Sequence, residues 1–275
     1  MRPLRALVEA LSRRGESASL PEGVRVERDL AYGTEAAQTL DVYLPVGRPT
    51  GAVIVVVHGG GWAIGDKANP AVVGAKVGHW LSAGIVVVSI NYRLLPRAGV
   101  LQQAGDVARA IAFAQGRAAG WQADSSRIVV LGHSSGAHLA ALLAADPALA
   151  EAEGTKAWLA TILLDSAALD AVEIMRAPHR PLYDRALGAT EADWMALSPL
   201  HRLCARPAPL LIVHSDRRQD AAGASRRFAD AVAARGGRAE VHDVALSHAE
   251  INASLGLANA YTERVDAFLK SVGVP

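Results

Sequence analysis

The sequence predicts an α/β fold: a mostly parallel central sheet with helices on both faces and one small helical insertion. Three observations carry that reading. Short β-branched runs alternate with stretches of helical period along most of the chain. The runs are apolar throughout, as strands buried on both faces are, instead of alternating apolar with polar. The rhythm breaks once, between Leu164 and Pro209, where about forty residues hold no strand pattern, long for a plain loop.

In chain order, residues 1–22 read as an amphipathic helical lead-in. Leu4, Leu7, Val8 and Leu11 recur at helical spacing, and Gly15 and Pro21 break the pattern. Residues 24–30 and 40–44 read as an opening pair of strands. Buried strands are expected at 52–57, 85–90, 127–131, 158–164, 209–214 and 238–244. Helices are expected at 71–82, 101–117, 134–145 and 221–234, with a closing helix at 251–270. With no repeat, low-complexity tract or linker, residues 1–275 read as one domain, and 165–208 as its cap-like insertion.

Composition narrows the function classes. Hydrophobic residues make up 51% and charged residues 20%, enough for a sizeable core and too apolar for disorder. The 28 basic and 27 acidic residues leave a net charge of +1, which speaks against nucleic acid or an anionic membrane as the main partner. A single cysteine, Cys204, excludes an internal disulfide and reads as a buried or half-buried filler. Residues 1–5 lead into no apolar signal region, and the run at 52–57 is too short to span a bilayer, so a soluble, cytoplasmic protein is expected. Oligomeric state is left open.

The chemistry begins at Gly132-His133-Ser134-Ser135-Gly136. This G-x-S-x-G follows a strand and opens a helix, the context of a nucleophile elbow. A sharp turn crowds its neighbours, and glycine removes the Cβ atoms that would clash. By itself the motif should arise by chance in roughly one of ten such chains, and a Gly-rich turn with a capping serine competes with it.

A second motif separates the two. His58-Gly59-Gly60-Gly61-Trp62 follows the strand at 52–57, where an oxyanion loop belongs. Glycines let backbone N–H groups come to about 2.7–3.1 Å from a developing oxyanion. Gly60, Gly61 and the amide of Ser135 are the expected donors. A phosphate-binding loop would need a following Lys-Ser/Thr pair, which is absent.

A nucleophilic serine needs a base. His248, just after the last strand and before the last helix, fits the order serine, acid, histidine; His242 lies inside a strand. The acid should follow the strand at 209–214. Asp216 and Asp220 both qualify, and spacing barely separates them; Asp220 could equally cap the next helix. No metal site is expected, because His133 and His138 are five apart with no cysteine cluster beside them. Asp66 and Lys67 are expected to brace the oxyanion loop as a local ion pair, with a solvated turn as the competing reading.

Together, His58 to Trp62 with Gly65-Asp66-Lys67, Asn91-Tyr92-Arg93-Leu94-Leu95-Pro96, Gly132 to Gly136 and Ser247-His248-Ala249-Glu250-Ile251-Asn252 resemble the α/β-hydrolase esterases. The resemblance is to the arylformamidase-like and feruloyl-esterase-like branch, related to hormone-sensitive-lipase-type esterases. It covers roughly residues 25–270, and Ser198-Pro199 after Trp194 fits it too. It implies the α/β-hydrolase fold, a Ser-His-Asp triad and no cofactor. The branch usually reads His-Gly after the late strand, with Asp a few residues on. This chain reads His214-Ser215-Asp216-Arg217-Arg218-Gln219-Asp220, and relatives with a similar Arg-Arg-x-Asp make Asp220 the first choice and Asp216 the second.

The expected activity is hydrolysis of small or aromatic carboxylic esters through an acyl-enzyme on Ser134. The partner is then a small-molecule ester. Arylformamidase activity on a formyl amide, or a catalytically inactive binding module, are the alternatives. Trp62, Met175, Leu182, Tyr183 and Trp194 are candidate pocket residues, although ordinary core packing explains each of them equally well.

Overall fold

The structure, a computed structural model, describes residues 23–275; the lead-in expected at 1–22 lies outside the described residues. β1 (Arg25–Ala31) and β2 (Thr39–Leu44) form an antiparallel pair. β3 (Val53–Val57), β4 (Val86–Ile90), β5 (Ile128–His133), β6 (Ala160–Leu164), β7 (Leu210–Ser215) and β8 (Ala239–Val244) follow. The described strands make one eight-stranded sheet in the order β1-β2-β4-β3-β5-β6-β7-β8. It is parallel from β4 through β8, and β2 joins β4 antiparallel.

The helices are α1 (Pro70–Ser82), α2 (Val100–Arg117), α3 (Ser135–Ala145) and α4 (Pro147–Glu151), then four short ones between β6 and β7. These four are α5 (Ala171–Arg176), α6 (Pro181–Leu187), α7 (Glu191–Ala196) and α8 (Pro199–Arg202). α9 (Gln219–Ala233), α10 (His248–Ala253) and α11 (Ala260–Ser271) complete the chain.

The β-branched runs become central strands because both faces can be covered. In β3, Val53, Val55 and Val57 point into the apolar layer that holds Ile111 of α2, Leu139 of α3 and Phe228 of α9. Ile54 and Val56 point into the opposite layer, with Trp80 of α1 and Phe268 of α11. The sheet is the middle of three layers.

Two expectations change. The closing helix at 251–270 is two helices, α10 and α11, separated by a turn in which Gly256 has φ +99°. Any Cβ at Gly256 would press on the Ala75 backbone of α1, so the chain bends where glycine permits close approach. Cys204 is exposed, not buried.

Parallel register decides where functional side chains meet. His133 pairs with Leu164 across β5 and β6, and Leu164 with Val213 across β6 and β7. The carboxyl ends of β3, β5, β6 and β7 therefore share one edge of the sheet, the edge where open α/β sheets place ligands.

Candidate active site

Ser134 sits at the turn from β5 into α3 with φ 54° and ψ −118°, a left-handed conformation rare outside glycine. Its flanking glycines are needed. A Cβ on Gly132 would overlap the Gly136 carbonyl, and one on Gly136 would overlap the carbonyls of Val57 and His58. The Ser134 amide donates to Leu164 O at 2.8 Å, which ties the turn to β6.

His248 begins α10, whose start is closed by a capping box. The Glu250 amide donates to Ser247 Oγ, and the Ser247 amide donates to Glu250 Oε2. His248 Nε2 lies 3.1 Å from Ser134 Oγ. Its Nδ1 lies 2.6 Å from Asp165 Oδ2. An ionised carboxylate only accepts, so Nδ1 carries the hydrogen and Nε2 presents its lone pair to the serine hydroxyl.

The residue against His248 is thus Asp165, not Asp220 or Asp216. Asp165 immediately follows β6, one step beyond the Leu164 that pairs with His133, so parallel register sets it beside Ser134. It too is left-handed, with φ 50°, held by its amide on Val213 O at 2.7 Å. Ser215 N–H donates to its Oδ1 at 3.0 Å and Arg218 Nη1 to its Oδ2 at 2.8 Å. Burial pushes the Asp165 carboxyl up. The hydrogen bonds from His248 and Ser215 and the Arg218 charge outweigh it and hold the group well below the usual carboxylate range.

Asp220 lies in the first turn of α9, 55% exposed, and accepts from Arg218 Nη2 at 2.8 Å. Asp216 continues the ladder towards β8 through its amide on Val244 O, and its carboxylate faces Arg217 in solvent. The expectation relied on chain order. The strand neighbouring the nucleophile supplies an aspartate first, and an aspartate just past the end of a parallel strand was the signal available to find it. Arg218 was missed with it.

The glycine loop faces the elbow. A Cβ on Gly59 would come within 3.0 Å of Ser134 Cβ. Gly60 has φ +131°, and any Cβ there would overlap Ile64 O; Gly61 has φ +60° and Leu182 of α6 packed on its Cα. Among the described residues, no turn or loop carbonyl accepts from the amides of Gly60, Gly61 or Ser135.

Trp62, also left-handed at φ 60°, is held at three points. Leu95 N–H and Gln103 Nε2 donate to its carbonyl at 2.9 and 3.0 Å, and its indole N–H donates to His138 Nδ1 at 3.1 Å. His138 Nε2 in turn donates to Leu197 O at 2.7 Å, linking the loop to the insertion.

Tyr183 meets Trp62 edge-on at 5.9 Å. Trp194 spends its indole N–H on Gly188 O within the insertion, and Met175 is buried in the apolar layer. Lys67 pairs with Asp29 and Asp41 at 2.7 Å each, while Asp66 accepts from Asn91 and Ala68. The local Asp66–Lys67 pair is therefore replaced by separate anchors, Lys67 on Asp29 and Asp41 and Asp66 on Asn91.

Two further buried groups hold α10. His133 lies with its ring 4.6 Å from the His248 ring, and its Nε2 donates to His248 O at 3.0 Å. Burial, with the neighbouring His248, pushes the His133 imidazole down to about 3, so it stays neutral. Lys76 of α1 donates to Asn252 O near the end of α10, and burial pushes its ammonium down to about 7.

A serine, an imidazole and a buried carboxylate in hydrogen-bonded series can activate a hydroxyl, and backbone N–H groups without a carbonyl partner are the kind that stabilise an oxyanion. The groups of three or more His, Cys, Asp or Glu that a metal ion needs do not occur among the described residues. No described helix is long and apolar enough to cross a membrane.

Known proteins resemble this chain in sequence and in fold. The BD-FAE family model matches residues 40–221, which include the glycine loop, Ser134 and Asp165. A probable isoprenylcysteine alpha-carbonyl methylesterase, ICMEL1 of Oryza sativa subsp. japonica, is 36% identical over 119 residues, 42% of this chain and 27% of that protein. Esterase LipC of Mycobacterium tuberculosis is 29% identical over 205 residues, 69% of this chain and 50% of that protein. The chain thus spans half or less of the length of these relatives. Among solved structures, esterase B from Lactobacillus Rhamnosis superposes with a TM-score of 0.76 at 19% identity, covering 98% of this chain and 93% of that one. Thermogutta terrifontis esterase 2 phosphoramylated by tabun gives 0.72 at 25% identity, covering 93% and 96%. Sheet order and these likenesses establish the α/β-hydrolase fold.

Proposed function

This chain belongs to the BD-FAE family, and from that premise we propose that it is a serine carboxylesterase acting through an acyl-enzyme on Ser134. The observation that carries the proposal is the series Ser134 Oγ, His248 Nε2 at 3.1 Å, and His248 Nδ1 to Asp165 Oδ2 at 2.6 Å.

In the proposed reaction His248 Nε2 takes the Ser134 proton as Oγ attacks the ester carbonyl carbon. Asp165 keeps Nδ1 protonated and stabilises the imidazolium as it forms. The amides of Gly60, Gly61 and Ser135 receive the oxyanion. His248 then gives its proton to the leaving alkoxide, which departs as the alcohol. In the second half it takes a proton from water, whose oxygen attacks the acyl carbon, and returns that proton to Ser134 Oγ as the acid is released.

The proposed substrates are small or aromatic esters. Leu182 packed on Gly61, and the Trp62–Tyr183 contact beside the loop, favour a compact substrate. The methylesterase and esterase relatives favour an ester over a formyl amide.

A panel of short and long acyl p-nitrophenyl esters, a feruloyl ester and N-formylkynurenine tests this reading. Short or aromatic esters should turn over fastest, and Ser134→Ala should lower kcat by about 10³-fold or more with an unchanged Tm. A phosphonate should leave its adduct on Ser134. Full turnover by Ser134→Ala would refute the proposal.

A further inference from the structure

Arg218 stands where the sequence places the triad acid, in the turn between β7 and α9. Its Nη1 lies 2.8 Å from Asp165 Oδ2, the oxygen that also accepts from His248. The same nitrogen lies 3.1 Å from the Asp165 carbonyl oxygen and 3.0 Å from His248 Nδ1. Because Nδ1 already carries the hydrogen that Asp165 accepts, it cannot accept another. The 3.0 Å approach sets a cation against the imidazole edge. On its outer side, Nη2 donates to the exposed Asp220 at 2.8 Å.

We propose that Arg218 is a positioning residue of the active site: it fixes the Asp165 carboxylate and sets a cation against the His248 imidazole, with Asp220 moderating that cation from the solvent side. The inference rests on the Ser134–His248–Asp165 reading above. Two physical effects act in one direction. A guanidinium beside an imidazole disfavours its protonated form. A carboxylate oxygen shared between two donors also gives each of them less than it would give one alone. Removing the arginine relieves both effects, so the serine's base becomes easier to protonate and activity is lost at higher pH.

The other groups around His248 are defined. His133 faces it from the end of β5, and Asp165 from the end of β6. Tyr183 of α6 lies within electrostatic reach of Arg218 and Asp220, and Tyr261 of α11 within that of Asp165. Glu250 and Arg217 approach each other at the rim of α10, and Lys76 of α1 bonds its far end. Substitution at 218 or 220 removes none of these groups, so a change in the pH profile reports the arginine.

The test is kcat/KM for p-nitrophenyl acetate from pH 5 to 9 in the full-length protein. The variants are Arg218→Met, Arg218→Lys and Asp220→Asn, with Asp165→Asn as reference and Tm measured for each. Arg218→Met should move the acid limb up by about 0.5–1 pH unit and lower the plateau several-fold. Arg218→Lys, which keeps the charge but not the bridge, should hold the limb and lower the plateau. Asp220→Asn should move the limb down by a few tenths of a unit, less because Asp220 is exposed. A purely structural arginine would change Tm and move neither limb. If Arg218→Met does not fold, the Asp220→Asn shift decides. Limbs that stay in place while Asp165→Asn still abolishes turnover would overturn this inference alone. Retained turnover by Asp165→Asn would instead refute the triad reading.

Discussion

Three non-glycine residues of the site, Trp62, Ser134 and Asp165, hold φ between 50° and 60°. Each conformation costs of order 1–3 kcal/mol and persists because its neighbours over-determine it. Asp165 is fixed by its amide on Val213 and by three donors on its carboxylate. The glycines answer the same crowding by having no Cβ. Gly60→Ala should lower kcat at least 10²-fold, because a methyl group would collide with Ile64 O and displace the loop that presents the amides. Gly78→Ala is the control. Nothing lies within 4 Å of its would-be Cβ, and in mid-α1 the change should leave kcat unaltered and stabilise by a few tenths to 1 kcal/mol. Comparing kcat and Tm of the two variants checks this. At this scale Ser134, His248 and the glycine loop are legible in the sequence because each belongs to a motif with a mechanical reason. Asp165 is legible only as an aspartate just past a strand, because what makes it adjacent to Ser134 is the register of β6 against β5, which no local pattern encodes.

α10 has six residues, too few to hold a helix without support. Its support comes from elsewhere in the chain: His133 at its first carbonyl, Lys76 near its last, and the Gly256 turn pressed on α1. The strands and the long helices were readable from apolar period. The break between α10 and α11 was not, since a single glycine within an otherwise helical pattern does not reveal that another backbone lies against it. The burial of Lys76 was equally hidden among the polar positions of α1. It has a thermodynamic signature. The ammonium falls from 10.5 to about 7 on folding. Between those values the unfolded chain holds a proton that the native chain lacks, so this group makes stability rise with pH from about 7 to about 10. Lys76→Met removes that contribution. The Tm difference between wild type and Lys76→Met should therefore shift in favour of wild type as pH rises through this window. A difference independent of pH would contradict the burial of this amine beneath α10.

Over the whole molecule, the parallel sheet gathers residues far apart in sequence along one edge. β3 delivers His58 and the glycine loop, β5 Ser134, β6 Asp165 and β7 Ser215 with Arg218 beyond it. β8 leads to His248, and the insertion lays Leu182 on Gly61 and receives His138 at Leu197. The sheet and its two covering layers follow from composition and period, and the insertion from a gap in the rhythm. Which strand end supplies the aspartate beside His248 follows from strand order and register, and both become visible only when the strands are assembled. Chain order pointed past β7. The assembled sheet has β6 between β5 and β7, and the aspartate just past the end of β6 is bonded to β7. The kinetics of Asp165→Asn beside Asp220→Asn and Asp216→Asn, on one short-chain ester near neutral pH, test the triad most directly. Asp165→Asn should lower kcat by about 10³–10⁴-fold, with the other two variants within about tenfold of wild type. A large loss in Asp220→Asn or Asp216→Asn, with Asp165→Asn near wild type, would contradict it.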